Sequence, residues 1–385
     1  MSHSILPPSS ADIWGKPNGC PGWVQMAAAY PEDGETEATR EGTASHELAE
    51  ALIAYAINVP GTVTDSIRSD FVGASAGNGV VFTDEMFDAA WEYADDVVRE
   101  VKKRPGAQLG IEHAIKAPMI HELSFGTLDS FLFDGLSNEL FIWDYKYGFG
   151  VVEAFENWQA INYTAGLFDE LGIGGLEDQR ITVHIRIAQP RAFHRDGSVR
   201  NWTVKGSDLR GYFNTLTNHA NAALSATAET HTGTHCRYCE ARHACPAALK
   251  AGLDMYEVTG KPLPVELSVE AMGVQLSIIQ RAKKQLEYLE SGFEEQIKGK
   301  IRAGVSVPGW TVQEGLGREK WKVPAADIIS MGDMMGKDLR KHEAITPNQA
   351  KKLGIDKSII DVFIERPHTG LKLVAVDNKA KRVFT

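Results

Sequence analysis

Apolar residues recur at helical spacing in two segments near the start of this chain. Leu52 and Ile53 belong to an apolar stripe that predicts a helix over residues 41–56. Thr83 precedes a longer helical pattern, which has acidic residues in its first turn, basic residues in its last turn and Pro105 at its end. These signals predict two helices ahead of the strand-rich part of the chain.

Strand patterns dominate the middle of the chain. Segments rich in β-branched and aromatic residues, separated by Gly, Pro, Ser and Asn, predict three successive strands over residues 108–115, 125–133 and 139–147. The pattern continues with a helix, two strands and a second helix, over residues 157–170, 181–188, 199–204 and 207–226. Strands and helices are therefore combined in one region.

Two segments lack such periodicity. Residues 1–40 are rich in Pro, Gly and Ser, and residues 61–80 hold many Gly, Ser and Asn residues. These residue types favour turns over regular elements. We therefore predict irregular structure at the N-terminus and a loop between the first two helices.

The character of the chain changes after residue 246. A mostly polar helical pattern covers residues 265–302, and residues 308–313 look like a strand. Residues 323–385 predict short helices and a closing β segment. The simplest division is a core over residues 1–250 and a mainly helical C-terminal accessory region over residues 251–385.

Composition indicates an ordinary globular protein. Of 385 residues, 43% are hydrophobic and 24% are charged. The longest apolar runs are far shorter than the roughly 20 residues that a membrane span needs, and we find no signal-peptide pattern. Four cysteines are too few for a disulfide scaffold. We expect reduced thiols, a cytoplasmic location and no membrane association.

The net charge of −11 argues against a surface that is positive all round. It does not exclude a nuclease, because metal sites use carboxylates and a local basic groove can bind a phosphate backbone. Candidate groove cations are Arg186, Arg191, Arg195 and Arg200. Ordinary solvated surface charge is the competing interpretation of each.

Asp144 and Lys146 are the first candidates for chemistry. Because side chains alternate along a strand, both project from one face, and Trp143 and Tyr145 project from the other. A carboxylate can bind a divalent cation, and a neighbouring ammonium can orient a water or neutralise phosphoryl charge. The alternative is an exposed ion pair at the end of a strand.

Asp129 interrupts a strand that is otherwise apolar on both faces. Carboxylates seldom occur in such runs unless they are paired or bound to a metal. A hairpin with its turn around residues 135–138 would bring Asp129 close to Asp144. A buried aspartate bonded to backbone is the competing interpretation.

Other polar residues complete the candidate site. His46, on the first long helix, is a plausible third metal ligand, although a lone helical histidine is usually structural. Glu112 could add a carboxylate from the first strand, and it ranks below the others. Gln159 and Tyr163 are four residues apart on one helix face and could support Lys146 or contact a base or phosphate.

Three cysteines lie within ten residues, Cys236, Cys239 and Cys245, and the fourth, Cys20, lies more than two hundred positions upstream. Four thiolates fit either zinc or a 4Fe–4S cluster. The nearby His235 and His243 also allow a compact zinc site with three cysteines and one histidine, in which Cys20 plays no part.

Taken in order, these residues resemble the RecB-type branch of the PD-(D/E)XK nuclease superfamily. The resemblance covers roughly residues 15–250. The matching elements are His46, Gly126-Thr127-Leu128-Asp129, Trp143-Asp144-Tyr145-Lys146-Tyr147-Gly148 and Gln159-x3-Tyr163. The split cysteine set and Gln189-Pro190-Arg191 are similar to the iron–sulfur members and to stand-alone phage and prophage nucleases of this type.

The resemblance implies an α/β restriction-endonuclease-like core with a mixed central sheet flanked by helices. It implies that His46, Asp129, Asp144 and the Tyr145 carbonyl bind Mg2+ or Mn2+, with Glu112 as a further candidate ligand. Lys146 would help position or deprotonate the attacking water and stabilise the phosphorane-like charge. Gln159 and Tyr163 would belong to the helix motif after the catalytic strand. A 4Fe–4S cluster would be held by Cys20, Cys236, Cys239 and Cys245. Asp144 stands where many members of the superfamily have glutamate.

We therefore expect a metal-dependent DNA exonuclease that serves phage-type recombination, repair or replication, in a bacterial host cytoplasm if phage-encoded. No helicase motif follows the core, so unwinding would need a separate helicase, and a single-strand-binding or annealing protein is a candidate partner. The alternative is a non-catalytic nucleic-acid-binding or assembly protein with a structural zinc site.

Overall fold

A five-stranded mixed sheet forms the centre of the protein. Its strands lie in chain order and are β1 (Gln108–Lys116), β2 (Phe125–Asp134), β3 (Glu139–Tyr145), β4 (Thr182–Ala188) and β5 (Val199–Lys205). Strands β1, β2 and β3 pair antiparallel, β3 pairs parallel with β4, and β4 pairs antiparallel with β5. The computed structural model describes residues 4–30, 36–58, 65–259 and 268–312, together with Ser330 and Met334.

Helices cover both faces of this sheet. They are α1 (Ala11–Trp14), α2 (Trp23–Ala29), α3 (Glu37–Asn58), α4 (Asp65–Phe71), α5 (Asp84–Lys103), α6 (Trp158–Leu171), α7 (Glu177–Arg180), α8 (Gly206–Leu224), α9 (Pro246–Thr259) and α10 (Val269–Arg302). The predicted elements are present over residues 41–56, 84–104, 157–170 and 207–226, with ends shifted by a few residues. The α/β class and the mixed sheet flanked by helices are confirmed.

The alternation of side chains along β3 separates two hydrophobic cores. Leu140 and Ile142 pack with α6, α8 and the N-terminal segment in one core. Phe141 and Trp143 pack with α3 and α5 in the other. Both faces of β3 are therefore covered, as expected for a strand with a parallel neighbour. This burial fixes the register that decides where Asp144 lies.

Capping residues hold the helices that flank the sheet. The Thr83 hydroxyl accepts a hydrogen bond from the Met86 N–H at the start of α5, and the Asn157 side chain accepts one from Ala160 N–H at the start of α6. Gly172, at φ 67°, ends α6 in the left-handed conformation. Helix α6 is the crossover that allows β3 and β4 to pair in parallel.

The prediction of irregular structure at the N-terminus is wrong in part. Short helices α1 and α2 lie there, and Leu6, Trp14 and Trp23 are buried in the core beside α6 and α8. Helices this short are unstable alone and depend on tertiary packing, so sequence periodicity does not reveal them. The loop predicted at 61–80 likewise contains α4.

The chain divides into two compact units, Met1–Val312 and Gln313–Thr385. The long helix predicted over 265–302 is confirmed as α10. The strand predicted at 308–313 is wrong over residues 308–312, which form a turn and irregular structure. The elements predicted over 323–385 lie outside the described residues apart from two positions, and the division near residue 250 stays a prediction. No described helix has the length and apolar character to cross a membrane.

Candidate metal centre and cysteine cluster

The β2–β3 hairpin brings Asp129 beside the segment that carries Asp144. Its turn lies at residues 135–138, as predicted, and Ser130 pairs with Trp143. The Oδ2 atom of Asp129 accepts a hydrogen bond of 2.6 Å from the Tyr145 N–H. Asp129 thus bonds to backbone, but its second oxygen is directed elsewhere.

That second oxygen faces helix α3. The Nδ1 atom of His46 lies 3.6 Å from Oδ1 of Asp129 and 3.7 Å from Oε1 of Glu112. Potential ligand atoms of His46, Glu112 and Asp129 all lie within 4.8 Å of one another. Three residues from three elements therefore present one imidazole nitrogen and two carboxylates to a common point.

Glu112 takes a larger part in this group than its rank in the sequence suggested. It lies in β1 between His113, which pairs with Leu128, and Ile111, which pairs with Ser130. Its φ of 43° is unusual for a residue other than glycine, and no sequence signal reveals it. Such strained conformations concentrate at functional sites, so the local distortion opposite Asp129 is itself an argument for a site here.

Asp144 lies next to this group and outside it. Its side chain is only 2% exposed, which rules out the interpretation as an exposed ion pair. Oδ1 of Asp144 is 2.9 Å from Nζ of Lys146 and accepts a hydrogen bond of 2.8 Å from Nε2 of Gln159. Oδ2 is buried and has no hydrogen-bond partner in the described part of the chain. A buried carboxylate oxygen without a donor is costly, and a cation would satisfy it.

Gln159 joins Asp144 and Lys146 into one unit. Its Oε1 atom accepts a hydrogen bond of 3.2 Å from Lys146, while its amide nitrogen donates to Asp144. Tyr163, one turn further along α6, donates to the Thr127 carbonyl at 2.7 Å. Gln159 therefore orients the acid and the lysine, whereas Tyr163 holds the backbone of β2 two residues before Asp129.

Tyr145 supports the site from the opposite face of β3. Its hydroxyl is 2.7 Å from Ser45 Oγ, and its ring stacks on Tyr93 with centroids 4.9 Å apart. These contacts tie β3 to α3 and α5. The predicted role of the Tyr145 carbonyl as a metal ligand stays a prediction.

Electrostatics at the site favour a bound cation. Burial, partly offset by His46, raises the pKa of Asp129 to about 6, and the nearby Asp144 adds to the rise. Burial lowers the pKa of His46, but Asp129 and Glu112 outweigh it, and the net shift is upward. Burial also lowers the pKa of Lys146, but Asp144 and Asp129 outweigh it, and the net shift is upward. The carboxylates thus stabilise positive charge on their neighbours.

The ligand atoms match a hard divalent ion. Carboxylate oxygens suit Mg2+ and Mn2+, and an imidazole nitrogen is compatible with a transition metal such as Mn2+. The residues that fit are His46, Glu112 and Asp129, with Asp144 alongside.

The four cysteines lie together although Cys20 is remote in sequence. All four are free and buried, and they line one small cavity with Trp23 and Gln285. Cys20 accepts a hydrogen bond from the His231 N–H at 3.3 Å, and Cys236 accepts one from the Gly233 N–H at 3.3 Å. Such donors stabilise thiolates.

Without a cation these thiols are unfavourable as thiolates. Burial, with the neighbouring thiols Cys20 and Cys236 adding to it, raises the pKa of Cys239 to about 12. Burial also raises the pKa of Cys20, and the neighbouring Cys245 and Cys236 add to the rise. A bound metal would favour the deprotonated form, because the thiolate is the form that binds a metal.

Four thiolates around one cavity can bind either a single zinc ion or a 4Fe–4S cluster. Tetrahedral Zn–S bonds of about 2.3 Å require sulfur atoms about 3.8 Å apart. A 4Fe–4S cube spaces its ligands more widely, because each thiolate binds a different iron.

The two nearby histidines differ in their surroundings, and His235 lines the same cavity as the cysteines. The Nε2 atom of His235 is 3.0 Å from the His231 carbonyl oxygen. The His243 ring packs between Tyr30 and Phe293, with centroid distances of 5.0 and 5.8 Å. The proximity of Cys20 to the other three thiols argues against a compact zinc site in which Cys20 plays no part.

The prediction of Arg200 as a groove cation is wrong, and Arg186 pairs with an acidic residue. Arg200 is buried and bonds to the Val152 carbonyl and to Gln189. Arg186 donates to Asp96 at 2.7 Å on the α5 side of the sheet. Both arginines bond to other groups of the protein. They therefore contribute less positive charge to a groove than the sequence alone suggests. The sequence did not indicate Gln285, which lines the cysteine cavity, or Ser45, which contacts the Tyr145 hydroxyl. Single polar residues in helices carry no distinctive sequence signal.

A family model described as "Protein of unknown function (DUF2800)" matches residues 3–381. The chain belongs to the DUF2800 family. No curated protein matches the sequence. The DUF2800 match spans both the candidate metal centre and the cysteine cluster, and it assigns a chemical role to neither.

Proposed function

We propose that this DUF2800 protein is a divalent-metal-dependent deoxyribonuclease of the exonuclease type, built on a RecB-like PD-(D/E)XK core. The proposal rests on one observation above all. His46, Glu112 and Asp129 converge beside the Asp144–Lys146 pair, which is bridged by Gln159. A cation site next to a buried carboxylate and an ammonium is the arrangement that phosphodiester hydrolysis needs.

His46, Glu112, Asp129 and Asp144 would hold the metal ion. When bound, Mg2+ or Mn2+ would polarise the scissile phosphoryl group and favour ionisation of the attacking water. Lys146 stabilises negative charge on the phosphoryl oxygens and orients the water. In the metal-free protein Asp144 and Asp129 outweigh burial and raise the pKa of Lys146, which favours the charged ammonium.

The surrounding residues keep these groups in place. Gln159 holds the Lys146 ammonium and the Asp144 carboxylate in one orientation, and the Tyr145 N–H fixes Asp129. Preorganised groups of this kind avoid reorganisation during the reaction. The site would therefore act on DNA with little rearrangement of its own.

The cysteines would bind a 4Fe–4S cluster with a structural role. The cluster would join the segment before the core, through Cys20, to the segment after it, through Cys236, Cys239 and Cys245. We further propose that the protein works in the cytoplasm in phage-type recombination, repair or replication. A separate helicase and a single-strand-binding or annealing protein are the partners that this role calls for.

The direct test is a nuclease assay of anaerobically purified protein. End-labelled linear DNA and closed circular DNA would be incubated with Mg2+, with Mn2+ and with EDTA. We expect metal-dependent loss of the linear substrate with the circle intact. Cleavage of the circle would indicate an endonuclease, and no cleavage of either substrate would contradict the proposal.

Matched variants separate the site from the rest of the surface. Asp144→Asn and Lys146→Ala should lower the rate by at least about a thousandfold, since each removes a group that acts on the transition state. Asp208→Asn and Lys102→Ala change exposed residues of the same types and should retain full activity. Equal activity in all four variants would indicate a contaminating nuclease.

A further inference from the structure

Two loops begin immediately beyond the candidate catalytic residues. The Lys146 N–H donates to the Ala188 carbonyl at 2.8 Å, where the β3 and β4 strands end. From there the chain enters residues 147–157 on one side and residues 189–198 on the other. We call these the two aromatic loops. The first starts one residue after Lys146.

These loops expose large aromatic side chains. Phe149 is 64% exposed, Phe155 is 59% exposed and Phe193 is 69% exposed, and Val151 is also exposed. Exposure of several large apolar side chains on adjoining loops is costly in water and usually marks a contact surface. His194 of one loop lies 3.6 Å from Glu153 of the other, so the two loops adjoin.

A buried polar clamp fixes the backbone of the first loop. Gln189 is 1% exposed, and its amide nitrogen donates to the carbonyls of Gly148 and Gly150 at 2.8 and 2.7 Å. Its Oε1 atom accepts from the Val152 N–H at 3.0 Å and from Arg200 at 2.6 Å. Arg200 also donates twice to the Val152 carbonyl. Phe149 is therefore presented on a preorganised loop.

A cation lies against one of the exposed rings. The Arg191 guanidinium is 4.0 Å from the centre of the Phe149 ring and 4.1 Å from that of Tyr147. Glu85 and Glu41 pair with Arg191 at 3.0 and 3.7 Å and offset much of its charge. Recognition on this surface must therefore depend on the rings more than on net charge.

We infer that the two aromatic loops form a stacking platform for unpaired bases, and that single-stranded DNA or a frayed end is the substrate form. The inference rests on the proposed nuclease function and deepens it. Phe149 and Phe193 are the rings that bases would contact.

The position of the loops supports a nucleic acid as the occupant. Phe149 is only three residues from Lys146, so a strand whose phosphate lies at Lys146 would carry its neighbouring bases over this surface. Base–aromatic stacking accepts any base, because every base has a π face. Bases inside a duplex are already stacked on one another, which makes unpaired bases the matching ligand.

The test is DNA binding by full-length protein that carries Asp144→Asn, so that the DNA stays intact. Fluorescence anisotropy at one fixed salt concentration would compare three labelled ligands: a 20-nucleotide oligothymidylate, an abasic strand of equal length and a blunt duplex. We expect Phe149→Ala combined with Phe193→Ala to weaken binding of the oligothymidylate by about 10- to 100-fold. Binding of the abasic strand should change less than about twofold, because no base remains to stack.

Two further variants serve as controls. Leu136→Ala removes an exposed apolar side chain in the β2–β3 turn and should leave binding of all three ligands unchanged. Phe149→Trp in the Phe193 wild-type background should retain oligothymidylate affinity, since the ring is conserved. Equal losses on the abasic and base-bearing strands, or no loss on either, would overturn the platform.

The platform and the nuclease proposal fail in different ways. Base-dependent binding that the double variant abolishes, in a protein whose wild type cleaves no DNA, would support the platform and reject the nuclease. Metal-dependent cleavage by the wild type, with binding indifferent to bases, would support the nuclease and reject the platform.

Discussion

The Nδ1 atom of His46 lies 3.6 Å from Oδ1 of Asp129, although the first residue belongs to helix α3 and the second to strand β2. This contact links the helical layer to the sheet at the point where the candidate metal ligands converge. Glu112 completes the group from β1.

Glu112 should matter for metal binding more than an ordinary surface glutamate. Glu112→Gln removes one of two carboxylates that face His46, so we expect Mn2+ affinity to fall by at least about tenfold. Isothermal titration calorimetry of EDTA-treated protein would measure it. Glu122→Gln, at an exposed position between β1 and β2, is the matched control. Unchanged affinity in Glu112→Gln would remove this residue from the site.

Stability of the metal-free protein should fall as pH rises through about 6. The pKa of Asp129 is raised from 3.8 to about 6, so the folded state holds a proton that the unfolded state has lost. The resulting stabilisation is fully present below pH 3.8 and disappears above about pH 6. The upward shift of the His46 pKa acts in the same direction.

Asp129→Asn should therefore stabilise metal-free protein at pH 8 by about 1 to 3 kcal/mol, because it removes a buried charge. Urea denaturation at pH 5 and pH 8, in EDTA, would measure the difference. The same variant should lose the stabilisation that Mn2+ gives to the wild type. A variant less stable than wild type at pH 8 would show that the Asp129 carboxylate contributes favourable bonds even without metal.

Gln159 should act as a positioning residue. Gln159→Ala removes the bridge between Asp144 and Lys146, and we expect turnover to fall by about 10- to 100-fold, as is usual for residues that orient metal-site groups. The thermal midpoint should move by only a few degrees. Gln280→Ala, on the exposed side of α10, is the control. Partial recovery in Gln159→Asn at raised metal concentration would separate positioning from a folding defect.

Cys20 and Cys239 should contribute comparably to stability if both bind one cluster. Closing the long loop between Cys20 and Cys236 restricts the unfolded chain, an effect of about 5 kcal/mol by loop-closure arguments. Anaerobically purified wild type should be brown, and Cys20→Ser and Cys239→Ser should both lose colour and thermal stability. Destabilisation in Cys239→Ser alone, in a colourless protein with one zinc, would indicate a local zinc site.

Much of the framework follows from the sequence by itself. The strand and helix periods, the Thr83 and Asn157 caps and the β2–β3 turn are local signals, and each is decided by a few neighbouring residues. Alternation of side chains along β3 also places Asp144 and Trp143 on opposite faces of the strand, whatever residues pack against them. Asp129 and Asp144 could be predicted as neighbours because the turn between β2 and β3 joins their strands in one hairpin.

What distant segments contribute to the candidate sites depends on the tertiary structure. The left-handed conformation of Glu112, the docking of the N-terminal segment that carries Cys20 and the burial of Arg200 all depend on residues far away in the chain. Such features are stabilised by the packing of a whole core, and no local window of sequence encodes them. The sequence therefore indicates which residue types form the site. Which individual residues belong to it depends on the convergence of α3, β1 and β2.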